Sequence, residues 1–108
     1  MSDALETTVE ALHALLSAGG EVQLVDVRDD WELGIAALPG ALHIPLPQLP
    51  ASLDALDPAR PVVLLCHHGM RSLQAAIWLR QQGFGGATSV AGGIDTWSRR
   101  IDPAVPTY

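Results

Sequence analysis

Val62-Val63-Leu64-Leu65-Cys66-His67-His68-Gly69-Met70-Arg71-Ser72 is the stretch from which the fold can be read. Four consecutive apolar residues read as a central strand buried on both faces, and such strands are usually parallel. A helix is predicted from about Ser72 to Gln82, with Leu73, Ala76, Ile77 and Leu79 packing inward and Gly83 as its stop. The segment is therefore strand, loop, helix. In open parallel sheets, functional sites lie beyond the carboxyl ends of the strands, and Cys66 is the first residue beyond this one.

Working outward, Val9, Leu12, Leu15 and Leu16 recur at helical spacing after Thr7 and Thr8, either of which could cap the helix, and Gly19-Gly20 ends it. Val22 to Val27 reads as a short buried strand. The acidic stretch Asp29-Asp30-Trp31-Glu32 opens a short helix, because carboxylates suit a helix N-terminus. Pro39-Gly40 is a turn before a brief strand over 41–44. Prolines at 45, 47, 50 and 58 break up the middle, leaving room for a short helix near Leu49 to Leu53. A last strand covers 88–90, Gly92-Gly93 a turn and 94–100 a last helix. The tail from Asp102 to Tyr108, with two prolines, is expected to be extended. Short strands alternating with helices predict a small α/β domain with a parallel sheet, occupying residues 1–108 as one unit.

Composition narrows the function classes. The chain has 108 residues, 48% of them hydrophobic and 17% charged, which suits one compact core rather than disorder. Twelve acidic residues face six arginines and no lysine, for a formal charge of −6. That balance argues against non-specific binding to nucleic acid or anionic membranes. With no lysine there is no Schiff-base lysine and no P-loop lysine. One cysteine permits no internal disulfide. The start, residues 1–12, lacks the basic and apolar pattern of a signal peptide, and no stretch approaches the length of a membrane helix. A soluble, cytoplasmic protein is the expectation.

Three effects converge on the Cys66 sulfur. The following helix offers unpaired N–H groups and a positive dipole end. Gly69 lets the loop curl, so successive amides can point inward as an anion nest. Arg71, with partial contributions from His67 and His68, adds positive charge. Thiols in such surroundings lose their proton more readily, so thiolate would be available without a separate base. A lone cysteine elsewhere would read as a small buried hydrophobe; the strand-end position, the glycine and the arginine favour a functional thiol.

These residues carry a resemblance. The loop over 66–72 resembles the active-site loop of rhodanese-homology sulfurtransferases. Leu24-Val25-Asp26-Val27-Arg28 is similar to the family's strand motif, Leu38 to Ala41 with His43-Ile44-Pro45 to its next segment, and Gly92-Gly93 with Trp97 to its closing one. The ending Pro106-Thr107-Tyr108 is similar too. The resemblance implies a rhodanese-like fold, with a mainly parallel sheet of about five short strands and helices on both faces. It also implies a ping-pong sulfur transfer without cofactor, in which the Cys66 thiolate takes sulfur from a small anionic donor such as thiosulfate. A thiol or a protein acceptor, or cyanide in an assay, then removes it. Four residues separate Cys66 from Arg71, whereas cysteine phosphatases, which resemble this arrangement, place five there for a wider phosphate cradle.

By the same resemblance, His67, His68, Gly69, Met70, Arg71 and Ser72 form the substrate-binding loop. Arg71 would orient the donor, and Ser72 would cap the helix. Met70 would pack or line the pocket. His67 and His68 either touch donor or acceptor or are ordinary exposed histidines. No metal is expected from the pair, because neighbouring histidines in a tight loop rarely converge on one ion. Asp26 and Arg28 share a strand face and read as a structural ion pair. Glu32 and Asp95 read as solvated helix charges, and Trp31, Trp78 and Trp97 as packing. Ala37 stands where relatives commonly have histidine, and His67 is only a partial match to the cation that thiosulfate-type loops carry after cysteine. Two other functions compete: a persulfide relay serving a cofactor or tRNA-thiolation pathway, and a binding module that has lost activity. Phosphatase or oxyanion-reductase chemistry ranks below them, for want of loop length and of a second cysteine.

Overall fold

The computed structural model describes residues 4–19 and 22–108, so residues 1–3, Gly20 and Glu21 lie outside it. Its elements run β1 (Glu6–Thr7), α1 (Val9–Ser17), β2 (Gln23–Asp26), α2 (Asp30–Ile35), β3 (Leu42–His43), a 3₁₀ segment (Leu46–Ala55), β4 (Val62–Leu65), α3 (Met70–Gln81), β5 (Ala87–Val90) and α4 (Gly93–Arg100). The five strands form one sheet in the order β1-β5-β4-β2-β3, and every pairing is parallel. This is the expected α/β architecture. The chain leaves β2 in one direction to reach β3, and β4 lies on the other side of β2. The carboxyl ends of β2 and β4 therefore flank a topological switch point, where open α/β sheets form their crevices.

Alternation along β4 divides the core. Val62 and Leu64, with Cys66, pack with Ala75, Ala76 and Leu79 of α3 and with Leu49 of the 3₁₀ segment. Val63 and Leu65 face the opposite layer, with Val9 and Leu12 of α1 and Ile94 and Trp97 of α4. All four β4 residues are buried, as a run covered on both faces must be.

Several boundaries differ from expectation for physical reasons. Helix α3 starts at Met70 rather than Ser72, because Gly69 takes the left-handed conformation at its start (φ +106°). Its buried stripe is Ser72, Ala75, Ala76 and Leu79, which leaves Ile77 exposed. Thr8 is the residue that caps α1, accepting from the Ala11 amide at 3.0 Å. Only Val9 and Leu12 of that helix are buried, while Leu15 and Leu16 are exposed on its second half. The proline-broken middle forms a 3₁₀ segment longer than the predicted helix, since Pro50 has no N–H to give to an α-helical ladder. Strand β1 has no counterpart in the periodicity. Two residues carry no pattern, and it is held by edge bonds from Ser89 N to Leu5 O and Ala91 N to Thr7 O.

The tail departs most. Instead of extending, it turns at Asp102–Val105, buries Val105 and brings Tyr108 back to the carboxyl end of the sheet. Among the tryptophans Trp97 is buried, but Trp31 is 62% exposed and stands edge-on to Tyr108. Among the described residues, no helix is long and apolar enough to cross a membrane.

Candidate active site

Cys66 leaves β4 on the α3 side and is 1% exposed. Its Sγ accepts from the Gly69 amide at 3.1 Å and from the Ser72 amide at 3.3 Å, so the loop curls around the sulfur as its glycine suggested. The Ser72 hydroxyl lies 3.2 Å from Sγ and 2.6 Å from the hydroxyl of Ser89 on β5. Ser89 can in turn donate to the Gly69 carbonyl at 3.4 Å. Ser72 is thus not the helix cap. It is the third residue of α3, completely buried, and places both its amide and its hydroxyl on the sulfur.

The N-terminus of α4 holds the first half of the loop. The amides of Ile94 and Asp95 donate to the carbonyls of Cys66 and His67 at 2.9 and 3.1 Å. This close approach requires Gly93, which has φ +60° and where a Cβ would collide with both carbonyl groups. Met70, expected to pack or line the pocket, is 70% exposed.

A chain of charged side chains runs behind the loop. Arg28 and Asp26, on the same face at the end of β2 as their spacing implied, form a buried ion pair with Arg28 Nη2 2.6 Å from Asp26 Oδ2. Burial pulls the Arg28 guanidinium down, but hydrogen bonds to Asp26 and Tyr108 outweigh it and hold it above its ordinary value. Arg28 also donates to Ala36 O at 2.8 Å and to the Tyr108 hydroxyl at 2.8 Å. That hydroxyl donates onward to Glu32 Oε1 at 2.8 Å. The reading of Glu32 as a solvated charge is corrected here, because the residue is only 2% exposed. Its two oxygens meet Arg71 Nη1 and Nη2 at 2.7 and 2.8 Å, and Oε2 also accepts from the Asp29 amide at 2.9 Å. The Arg71 hydrogen bond outweighs the opposing effect of burial and, with the Asp29 amide and the Tyr108 hydroxyl, lowers the Glu32 carboxyl to about 2. The same bond raises Arg71. Arg71 therefore stands beside the loop with both terminal nitrogens on a carboxylate. His43 reinforces the β2 end, donating from Nε2 to the Arg28 carbonyl at 2.6 Å.

The histidines and Tyr108 form a column of rings. His67 stacks on Tyr108 (3.8 Å between centroids, 5° between planes) and on His68 (3.9 Å, 28°). Burial, and then the His68 charge, lower the His67 imidazole from its ordinary value and favour its neutral form. Asp95, also read as solvated, is partly buried, pairs with Arg99 at 3.1 Å and comes close to both histidines. One ligand atom each from His67, His68 and Asp95 lie within 4.8 Å of one another.

Sequence reasoning missed Ser89, Glu32 and Tyr108 as parts of the site. Glu32 had one signal, its place three residues after Asp29 in a helix-start pattern. Tyr108 had one in the ending Pro106-Thr107-Tyr108, which is similar to the family's, whereas Ser89 had none, as its contacts depend on tertiary closure.

The rhodanese-like domain model matches residues 8–100. Among curated proteins, the chain is 36% identical over 100 residues to a protein named sulfurtransferase from Allochromatium vinosum, covering 93% of this chain and 94% of that one. It is 40% identical over 107 residues to rhodanese-like/PpiC domain-containing protein 12 of Arabidopsis thaliana, with 93% of this chain covered, but spans only 36% of that protein's length. Among solved structures, the human single-domain sulfurtransferase TSTD1 superposes with a TM-score of 0.77 at 31% identity, covering 90% of this chain and 97% of that one. A crystal structure from Staphylococcus saprophyticus does so at 0.81 and 31%, covering 94% and 97%. With a parallel five-strand sheet, a cysteine loop at its switch point and these relatives, the chain belongs to the rhodanese-like domain family.

Proposed function

We propose that this protein transfers sulfane sulfur through a persulfide on Cys66. In the first half-reaction the Cys66 thiolate attacks the outer sulfur of a donor such as thiosulfate. A Cys66–sulfur bond forms, the donor's sulfur–sulfur bond breaks, and sulfite leaves with the electron pair. In the second, a thiol, a protein acceptor or cyanide attacks the outer sulfur, and Cys66 departs as thiolate. Each half-reaction conserves charge and needs neither a redox partner nor a metal.

The observation that carries this reading is the enclosure of Sγ by the Gly69 and Ser72 amides and the Ser72 hydroxyl. Fixed donors around the sulfur stabilise the thiolate that attacks in the first half-reaction and departs in the second, as an oxyanion hole stabilises its intermediate. Gly69 and Ser72 thus hold charge, Arg71 lies alongside under the control of Glu32, and His67, His68 and Met70 line the approach. The test is thiosulfate:cyanide transfer by the full chain. Cys66→Ser should reduce it to background while circular dichroism shows the fold retained; transfer surviving in that variant contradicts the proposal.

A further inference from the structure

We infer that Glu32 is a specificity-determining residue, which neutralises Arg71 and so tunes the Cys66 site to sulfur donors carrying one negative charge rather than two. The inference rests on the reading of Cys66 as the sulfur carrier, and it names the charge class of donor that the same site takes.

Arg71 is the loop's own cation. Its guanidinium meets Glu32 fork to fork, with both terminal nitrogens within hydrogen-bond distance of the two carboxylate oxygens. The Glu32 side chain is 3% exposed against 34% for Arg71, so the carboxylate is the fixed partner and the guanidinium the one that is held. Two further donors, the Tyr108 hydroxyl and the Asp29 amide, fasten Glu32 in place. With its carboxyl lowered to about 2, Glu32 is ionised throughout the neutral range, and the pair sums to zero.

The neighbouring charges cancel in the same way. Arg28 is closed on Asp26, and Arg99 on Asp95. Burial disfavours a charge on His67. What remains for an anion is the set of loop amides with the α3 terminus, in a chain of net charge −6. Amides suit the single charge that a persulfide leaves on Cys66. A dianionic donor brings a second charge for which neither Arg71 nor Arg28 is free, and that charge repels the attacking thiolate.

Two small donors isolate the charge: thiosulfate, a dianion, and methanethiosulfonate, a monoanion with the same sulfone-bound outer sulfur. With the second, the Cys66 thiolate forms the same persulfide and methanesulfinate leaves with the electron pair. Loading of the full chain is followed by intact mass, and kcat/KM for each donor is divided by its rate with a free small thiolate in solution. The wild type should then favour methanethiosulfonate by about tenfold. Glu32→Gln, of nearly the same shape, should shift that ratio towards thiosulfate by about tenfold, mainly through a lower thiosulfate KM. A structural loss alone would slow both donors alike, so an unchanged ratio overturns the inference. The wild-type ratio needs no variant, and a normalised preference for thiosulfate overturns the inference as well. If neither donor adds sulfur to Cys66, it is the carrier reading itself that fails, a result distinct from the other two.

Discussion

Ser72 Oγ stands 3.2 Å from the Cys66 sulfur and 2.6 Å from Ser89 Oγ, so one hydroxyl serves two buried partners. When the sulfur is charged, Ser72 donates to it and Ser89 supplies a proton to Ser72 in turn, at the cost of the longer bond to Gly69 O. Hydrogen bonds to charged groups are worth about 1.5–3 kcal/mol. Ser72→Ala keeps the backbone amide on Sγ and removes only the hydroxyl, so transfer should fall by about tenfold or more with the protein still folded. Steady-state kcat/KM for thiosulfate checks this; an unchanged value would mean that the two amides suffice. At this scale the sequence was informative about Cys66 and Gly69, whose roles follow from strand end and backbone freedom. It was less so about Ser72, which looked like a cap until the helix was seen to begin two residues earlier.

At the scale of elements, the site is a meeting of β4, β2, α3 and α4. The strand run over 62–65, the acid-led start of α2 and the alternation that pairs Asp26 with Arg28 were legible, because each is a local pattern. The Glu32–Arg71 pair was not, since its members lie 39 positions apart and no periodicity links them. The junction of α4 with the cysteine loop belongs to the same class. There Gly93 lets the α4 amides reach the carbonyls of Cys66 and His67. Gly93→Ala puts a side chain into a left-handed backbone position and into those carbonyls. It should destabilise the protein by about 1–3 kcal/mol and displace the loop. Chemical denaturation read together with transfer activity measures both effects, and unchanged stability and activity would show that the junction is slack.

On the scale of the whole molecule, Tyr108 folds back against the site. Tyr108 lies 80 positions from Arg28 and 76 from Glu32, yet its hydroxyl accepts from one and donates to the other. A tail with two prolines reads as extended because sequence shows no partner for it; the partner is a pair of buried charges assembled by the rest of the fold. Tyr108→Phe keeps the ring on His67 and leaves each of those charges one hydrogen bond short, which should lower stability by about 1–3 kcal/mol. A variant as stable as wild type in denaturant titration would contradict that role. Glu32 makes stability depend on acid. Its carboxyl lies at about 2 in the folded chain against a usual value of 4.5, so the folded state binds that proton less tightly than the unfolded one. The contribution is present above about pH 4.5 and is lost as pH falls towards 2. Thermal melts of wild type and Glu32→Gln should accordingly converge across that window; a constant gap would show that the carboxylate's ionisation is not what stabilises.

The central claim is that Cys66 carries sulfur. Intact-protein mass spectrometry after incubation with excess thiosulfate tests it most directly, with Cys66→Ser as control. The expected result is a gain of one sulfur atom on the wild type alone, removed on adding cyanide. Wild type that gains no sulfur while folded and with its thiol free, or a Cys66→Ser variant that gains as much, would contradict it.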